Sequence, residues 1–448
     1  NGSQSGITNP TYTLDTGQNR ASANNLVIGV YSSSGYGWRG KLDQIRIFNR
    51  GISASEVTTL YNEIQCANTI STPESYFNTK LWTGDGNARS ITGIGFDPDF
   101  VWIKKRGNDT KSHRVFDSVR GANNVIYADL NNDQDTPTNE LTAFVSGGFS
   151  LGNASAVNDA ASDTYVSWNW KAGGTAVANN DGTIASQVSA SPESGFSIVK
   201  YTGSGTAGST VGHGLSAKPE LIIIKNLDGD IGWIAYDTVN NVIGYLHLED
   251  SLLDSRRSWA VNNTDPTSTL VTLGNNQATN NTGNFIMYCF HSVDGYQRIG
   301  SYIGNGSTVG PFVYTGFEPA WIIIKQINAD NHWVIKDNKR STSNPREERL
   351  KANVNNIEDT GADVDFFTNG FQIKSSSNEV NDNNDTYLFY AIAGNPDTTA
   401  PTKANSFGIK LYTGDDSNNR DITGLGFKPD FLWIKRRGSE PHALYDSV

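Results

Sequence analysis

From residue 70 onward, apolar positions come in short runs with no helical periodicity. Runs of β-branched and aromatic residues, separated by Gly, Asn or Asp, recur roughly every 8 to 12 residues. This spacing is typical of antiparallel sandwiches and barrels. We therefore expect an all-β fold of tandem antiparallel, jelly-roll-like β-sandwich domains.

One run has apolar residues at successive positions, so both of its faces are apolar. It reads Phe100-Val101-Trp102-Ile103-Lys104 and follows Pro98. Proline suits the first residue of a strand, where no ladder donor is needed. A strand that is apolar on both faces is normally buried on both. The run therefore predicts a central strand.

The same motif occurs four times. The first and last copies are nearly identical, and the two between them are looser, as follows: Pro98–Lys104, Pro219–Lys225, Pro319–Lys325 and Pro429–Lys435. A second strand pattern recurs inside the units, at 164–170, 284–290 and 386–392. The period is about 100 to 120 residues, whereas solenoid repeats run to about 20 to 50. Each unit is therefore domain-sized, and we interpret the units as beads on a string.

The repeats divide the chain into five segments. They are residues 1–68, the C-terminal part of a different β-sandwich; 69–190, repeat unit 1; 191–295, unit 2; 296–400, unit 3; and 401–448, the start of unit 4.

The first segment contains the one helix that the sequence predicts. Residues 41–50 alternate as in a half-buried strand. Ser53 and Glu56 then form a capping box, and apolar residues follow on one side of a short helix near residues 53–62.

Composition excludes several classes of partner. The net charge of −11 repels phosphate backbones, so we expect no nucleic-acid partner. No run approaches the roughly 18 apolar residues of a membrane span, so we expect none. Cys66 and Cys289 are far apart in sequence and are expected to be buried thiols.

The sequence contains no recognisable catalytic motif. The six histidines have no metal-ligand spacing and are expected at the surface or in loops. No nucleophile elbow or Cys-His arrangement is present. We therefore expect no catalytic residues and no enzyme activity.

Two sets of residues are candidates for binding. Asp129, Asn131, Asp133 and Asp135 place oxygen ligands at alternate positions, as calcium loops do, but the glycine and final glutamate of an EF-hand are missing. A polar turn is the alternative, and we expect no other cofactor. Most aromatic residues belong to strand motifs and are expected in the core. Tyr31, Tyr36 and Trp38 instead lie in a Ser/Gly-rich loop, where exposed rings could contact a ligand such as a sugar.

The repeats resemble a domain common in marine phage and cyanophage virion proteins. The resemblance rests on Gly95-Phe96, the Pro98–Lys104 motif, Asp117-Ser118-Val119 and Tyr165–Gly174, and it covers nearly everything after residue 78. Residues 1–65 resemble the C-terminal end of laminin-G-like, concanavalin-type domains. A complete domain of that kind would need roughly a hundred more residues, and repeat 4 covers half a unit. We therefore expect the natural polypeptide to extend in both directions.

The resemblance implies a structural or host-attachment part of a virion appendage such as a tail fibre, located on the virion. A bacterial cell-surface or secreted adhesin or filament subunit is an alternative, and accessory modules of a glycan-processing enzyme are another. The expected partners are further copies of the chain, with a homotrimer as the specific expectation because fibres often cover strand edges by symmetric assembly. Other virion proteins and a host-surface glycan are also expected.

Overall fold

The computed structural model describes residues 70, 72–160, 163–244 and 257–394, and shorter stretches between 409 and 446. The chain divides into two compact units, Asn1–Gln65 and Cys66–Val448, and all described residues belong to the second. The helix predicted near residues 53–62 and the laminin-G-like segment lie outside the described residues.

The all-β prediction is confirmed, and unit 1 shows the basic arrangement. One sheet has the order β1-β8-β3-β4-β5 and the other β2-β7-β6. The strands are β1 Phe77–Thr83, β2 Arg89–Thr92, β3 Phe100–Lys105, β4 Arg114–Asp117, β5 Ile126–Tyr127, β6 Leu141–Val145, β7 Gly148–Leu151 and β8 Thr164–Trp170. A 3₁₀ turn, Pro73–Ser75, precedes them, and a short helix, α1 Ser155–Asn158, precedes β8.

Unit 2 repeats this plan with two additional edge strands. Its large sheet has the order β15-β14-β13-β17-β11-β10-β9, and β12 pairs with β16. The elements are β9 Val177–Asn179, β10 Ser186–Ser191, β11 Phe196–Thr202, β12 Thr210–Gly212, β13 Leu221–Asn226, β14 Ile234–Asp237, β15 Val242–Gly244, α2 Arg257–Val261, β16 Leu270–Thr272 and β17 Asn284–Phe290. The segment containing β9 and most of β10, assigned to unit 1 from sequence, thus joins the sheet of unit 2.

Unit 3 forms one eight-stranded sheet in the order β18-β25-β20-β21-β22-β23-β24-β19. Its elements are β18 Gln297–Ile303, β19 Phe312–Tyr314, β20 Pro319–Gln326, β21 Val334–Asp337, β22 Arg346–Lys351, β23 Asp359–Phe367, β24 Gly370–Ile373, α3 Asn378–Asn381 and β25 Thr386–Ala393. In unit 4, β26 Phe431–Ile434 pairs with β27 Ala443–Asp446.

The helices α1 to α3 were not predicted, because four or five residues are too few to show a helical period. In the described part of the chain, no helix has the length and apolar character that crossing a bilayer requires.

The motif strand is central and buried, as predicted. All six residues of β3 are buried, and β3 lies between β8 and β4. The equivalent strands β13 and β20 occupy the same position, between β17 and β14 and between β25 and β21. Alternate residues of each strand point to opposite faces, so each motif strand needs two apolar environments.

Those two environments are separate cores. Val101 and Ile103 of β3 pack into a core that unit 1 builds alone. Phe100 and Trp102, on the opposite face of β3, belong to a core shared by units 1, 2 and 3. Units 2 and 3 follow the same rule, with private cores of their own and inner faces in the shared core. The beads-on-a-string interpretation is therefore wrong for these three units.

Aromatic rings from all three units meet in the shared core. Trp321 of unit 3 lies 5.5 Å from the ring centroid of Trp170 of unit 1, and Phe100 of unit 1 lies 4.9 Å from Tyr288 of unit 2. Phe290 of unit 2 lies 5.1 Å from Tyr390 of unit 3. Each unit thus contacts both others. A small void of about 40 Å³ remains among these rings.

Trp321→Ala should destabilise units 1, 2 and 3 together. Truncating a buried tryptophan costs about 3–5 kcal/mol, and this side chain lies where the units meet. We expect units 1 to 3 to unfold in one denaturant transition shifted to lower concentration, measured by far-UV circular dichroism and by hydrogen exchange of peptides from each unit. The control Val309→Ala, at a residue that is 68% exposed, should change stability by less than about 0.5 kcal/mol. An unchanged midpoint for the peptides of unit 1 or unit 2 would contradict the shared core.

Candidate functional site

Buried charges fasten unit 1 to unit 3. Asp337, at the end of β21, accepts a hydrogen bond from Trp168 Nε1 of unit 1 at 3.0 Å and another from Arg340 Nε at 2.5 Å. Burial alone would raise the pKa of Asp337, but the Arg340 guanidinium and these hydrogen bonds hold it below its usual value. The carboxylate is therefore charged and paired inside the protein.

Glu358 extends this network by joining Arg340 of unit 3 to Arg106 of unit 1. It accepts from Arg340 Nη1 at 2.9 Å and from Arg106 Nη2 of unit 1 at 2.6 Å. Its own backbone N–H donates to the Arg106 carbonyl at 2.7 Å. Charge-assisted bonds of this kind are stronger than neutral ones and fix geometry. The network therefore sets the register of unit 3 against unit 1.

Unit 2 contacts unit 1 through equivalent residues. Tyr288, at the position of Trp168, donates through its hydroxyl to Asp117 at 2.7 Å, and Arg120 Nε donates to Asp117 at 2.5 Å. Arg120 Nη1 also donates to Gln134, whose backbone N–H donates to Leu227 O at 3.0 Å. Unit 2 therefore donates to the aspartate of unit 1 in the same way that unit 1 donates to the aspartate of unit 3.

A second pair of equivalent hydrogen bonds joins unit 1 to unit 3 and unit 2 to unit 1. Trp102 Nε1 donates to His113 Nδ1 at 2.9 Å, so the His113 proton is on Nε2, which donates to Lys351 O of unit 3 at 3.0 Å. At the equivalent position of unit 2, Trp233 Nε1 donates to Tyr127 O of unit 1 at 2.8 Å. His113 lies in a loop, as predicted, but it is fully buried, and burial lowers its pKa well below the usual value.

The interface between units 2 and 3 departs from this pattern. Asp237 keeps the aspartate, but Asn240 replaces the arginine and donates to it at 2.6 Å. Burial raises the pKa of Asp237, in contrast to Asp337. Tyr390 donates to Gln297 of its own unit at 2.8 Å. Gln297 Nε2 in turn donates to Gly195 O at 3.0 Å and to His291 O at 2.5 Å, both of unit 2. This interface therefore has neutral hydrogen bonds and apolar contacts in place of a buried ion pair.

The lysine that ends each motif is buried in all three units. Lys104, Lys225 and Lys325 are 0% exposed. Lys104 Nζ donates to Lys105 O at 2.7 Å, and Lys225 Nζ donates to Asn226 O at 2.6 Å. The ammonium group thus satisfies a carbonyl where the strand ends. Burial lowers the pKa of Lys104 and of Lys225 to about 8.

Three of the four candidate calcium ligands have contacts of their own. The buried Asp129 accepts the backbone N–H of His113 at 2.8 Å. Asp135 accepts from Tyr127 at 3.1 Å, and Asp133 donates through its backbone N–H to Asp230 of unit 2 at 3.3 Å. Among the described residues, no group of three or more His, Cys, Asp or Glu side chains could hold a metal ion. Calcium at Asp129, Asn131, Asp133 and Asp135 stays a prediction.

A denser carboxylate cluster lies elsewhere and surrounds a lysine. Lys105 Nζ is 2.8 Å from Asp163 and 3.3 Å from Asp159, and it also pairs with Asp109. The Lys105 side chain is only 2% exposed. These carboxylates compensate a buried ammonium group and tie together the loops around β8.

The expectation that most aromatic residues are core is confirmed for the strand motifs. The predicted contact residues Tyr31, Tyr36 and Trp38 lie outside the described residues. Exposed aromatics that the sequence analysis missed occur in β19, where Phe312 is 47% exposed and Tyr314 is 66% exposed. The alternation of Phe312-Val313-Tyr314, with Val313 buried, is the signal that could have identified them.

These aromatics border a groove of about 480 Å³, which we name the unit-3 groove. It runs between β18 and β19, the two edge strands of unit 3, and is lined by residues 298–302 and 312–314, with Phe389 at its base and Glu220 and Val239 of unit 2 beside it. A smaller groove of about 390 Å³ beside β1 is its equivalent in unit 1. There Asn78 Nδ2 donates to Ile94 O at 2.8 Å and links the two sheets.

Tyr288→Phe should weaken the interface between units 1 and 2. Its hydroxyl donates to a buried carboxylate, and a hydrogen bond to a charged group contributes about 1.5–3 kcal/mol. We expect a loss of this size in the free energy of unfolding, measured by urea denaturation. Tyr314→Phe removes an exposed hydroxyl and serves as the control. Equal effects of the two variants would contradict the role assigned to Asp117.

Stability should rise between pH 7.5 and 8.5. Lys104 and Lys225 have a pKa of about 8 when folded, against 10.5 as the reference for the unfolded chain. Over this window the unfolded chain binds more protons, so the free energy of unfolding increases with pH. The midpoint of urea denaturation, recorded at each pH, measures this increase in the free energy of unfolding. Lys104→Met with Lys225→Met should reduce the rise, and Lys410→Met, at an exposed position, should not. A flat or falling midpoint in the unaltered chain would contradict the burial argument.

The sequence matches one family twice. The family described as a domain of unknown function, DUF7483, matches residues 72–396 and again residues 402–448. No curated protein matches the chain. The first match spans units 1 to 3, the three units that share a core, and the second falls in unit 4. The chain therefore belongs to the DUF7483 family.

Proposed function

We propose that this chain is a structural component of a phage virion appendage, a tail fibre or similar part, that carries or forms a host-attachment element. The observation that carries the proposal is the closure of three repeats around one core, fastened by the buried Asp117 and Asp337 networks. Such closure makes a rigid module with one fixed geometry. A particle that must project a binding element away from its surface needs this property.

The second family match supports a tandem arrangement. The sequence of residues 402–448 is similar to that of unit 1. For example, Phe431-Leu432-Trp433-Ile434 corresponds to Phe100-Val101-Trp102-Ile103. Rigid modules in series suit a fibre. A host-surface glycan is the proposed ligand, with Tyr31, Tyr36 and Trp38 as its contacts, because flat aromatic faces pack well at wet binding surfaces.

We further propose assembly with other virion proteins and with copies of this chain, a homotrimer being the specific proposal. Units 1 to 3 present open strand edges at β1 and β18, and assembly is one way to cover such edges. The virion is the proposed location.

Two other classes remain as alternatives. A bacterial cell-surface or secreted adhesin or filament subunit would use the same rigid modules as a stalk. Accessory modules of a glycan-processing enzyme would use them to position a catalytic domain. We propose no catalytic role for the described residues.

Immunogold electron microscopy tests the proposal directly. Antibodies raised against the recombinant chain would be applied to particles and cells from the native source, with antibody pre-absorbed on the recombinant chain as the control. We expect gold on the appendages of tailed particles. Gold confined to the cell envelope would contradict the virion proposal and favour the adhesin. Release of reducing sugars by the native product would favour the enzyme.

A further inference from the structure

The unit-3 groove is a gap between two unpaired strand edges. Within the described residues, β25 is the one strand paired with β18 and β24 the one strand paired with β19, and the two strands are the ends of the sheet. On its outer side, β18 has one bridge, from Gln297 to Val293, at its first residue. The groove of about 480 Å³ lies between them. Edge strands present unused N–H and C=O groups, which can pair with another strand.

The free backbone groups of β18 can be assigned. Ile299 N–H donates to Ser292 Oγ at 3.0 Å, so it points away from β25. Backbone direction alternates along a strand, so Ser301 and Ile303 point the same way. Both of these residues are exposed. Their N–H and C=O groups thus face the position where a further strand would lie.

In unit 2, the equivalent gap between edge strands is occupied by a segment of the chain itself. The segment Thr183–Ser191 enters between β11 and β12, the strands equivalent to β18 and β19. Its strand β10 pairs antiparallel with β11, placing Gln187 opposite Lys200, and Ile184 bridges in parallel to Val211 of β12. Lys200 occupies the position of Ser301 in unit 3.

The filling segment has a simple chemistry. Ile184, Ser186 and Val188 are buried, whereas Ala185 and Gln187 between them are exposed. The strand therefore places aliphatic and small residues inward and polar or small ones outward. No charged side chain enters the gap.

The edge of unit 3 offers extra contact area for such a strand. Phe312 and Tyr314 stand where unit 2 has Thr210 and Gly212, and both rings are exposed. Aromatic side chains contribute a large area at interfaces. In unit 1 the Asn78 link to Ile94 spans the equivalent gap, so the groove of unit 3 is the more accessible of the two.

We propose that the unit-3 groove binds an extended segment of another polypeptide, which adds to the sheet as a strand antiparallel to β18. The partner segment has the chemistry of Thr183–Ser191, with aliphatic and small residues at alternate positions and no inward charge. The segment β10 of this chain is already placed in unit 2, so β10 itself is not the occupant, and the proposed occupant is a segment of a partner protein with the same chemistry. The inference goes beyond the proposed function and does not depend on the type of particle.

The probe is a fluorescein-labelled synthetic peptide with the sequence of residues 181–193, added to the full chain and followed by fluorescence anisotropy. We expect saturable binding in the micromolar range, typical of small interfaces. Ser301→Pro removes the outward N–H of β18 without removing a bond to β25, and it should weaken binding by about tenfold or more. Ser301→Thr keeps the N–H and should bind within about twofold of the unaltered chain.

A second readout locates the peptide. Hydrogen exchange followed by mass spectrometry should show slower exchange in residues 297–303 on addition of the peptide, and unchanged exchange in β11. Tyr314→Ala should weaken binding about threefold or more without changing the unfolding midpoint, which keeps the proposal testable if Ser301→Pro fails to fold.

Several results would overturn the proposal. They are no saturable binding, equal binding to a peptide with Pro in place of Val188, protection outside residues 297–303 and 312–314, or slow exchange in β18 before peptide is added. Binding of an oligosaccharide panel at Tyr314 without peptide binding would assign the groove to a different class of ligand.

Discussion

The structure depends on one constraint, which is that a strand with two apolar faces must be covered on both. Phe-Val-Trp-Ile in β3 and its equivalents in β13 and β20 cannot be satisfied by a two-layer sandwich whose outer faces meet water. Each unit covers one face of this strand with its own second layer. The other face is covered only where three large sheets meet, and the shared core follows from this requirement.

The constraint also explains the extent of the family domain. A single unit buries one of its two apolar faces, and three units complete the arrangement, which agrees with the family match over residues 72–396. In unit 4, β26 has the same sequence pattern, but Phe431 is 59% exposed and Trp433 is 66% exposed, whereas Phe100 and Trp102 are each 6% exposed. The close resemblance of residues 411–446 to unit 1, and not to units 2 and 3, matches a second copy of a domain whose three positions have diverged from one another.

The strands and the burial of their side chains could be predicted from sequence, but the contacts between units could not. The all-β class, the central position of Phe100–Lys105 and the burial of the strand aromatics follow from alternation and residue type. The Trp168 to Asp337 bond joins residues 169 positions apart, and no local pattern encodes it. An aspartate follows the first three motifs, at Asp117, Asp237 and Asp337, but the role of Asp117 and Asp337 as acceptors from a neighbouring unit depends on how the sheets meet. The unpaired edges of β18 and β19 could not be predicted for the same reason, because whether an edge is unpaired depends on which strands lie beside it.

The most direct test of the shared core is whether unit 2 folds alone. Residues 175–295, including the edge strands β9 and β10, would be produced as an isolated fragment, and its ¹H–¹⁵N correlation spectrum would be compared with that of the full chain. A shared core predicts a poorly dispersed spectrum without protected amides, since Phe196, Ile198, Tyr288 and Phe290 lose their partners from units 1 and 3. A well-dispersed spectrum with slowly exchanging amides in β13 and β17 would contradict it.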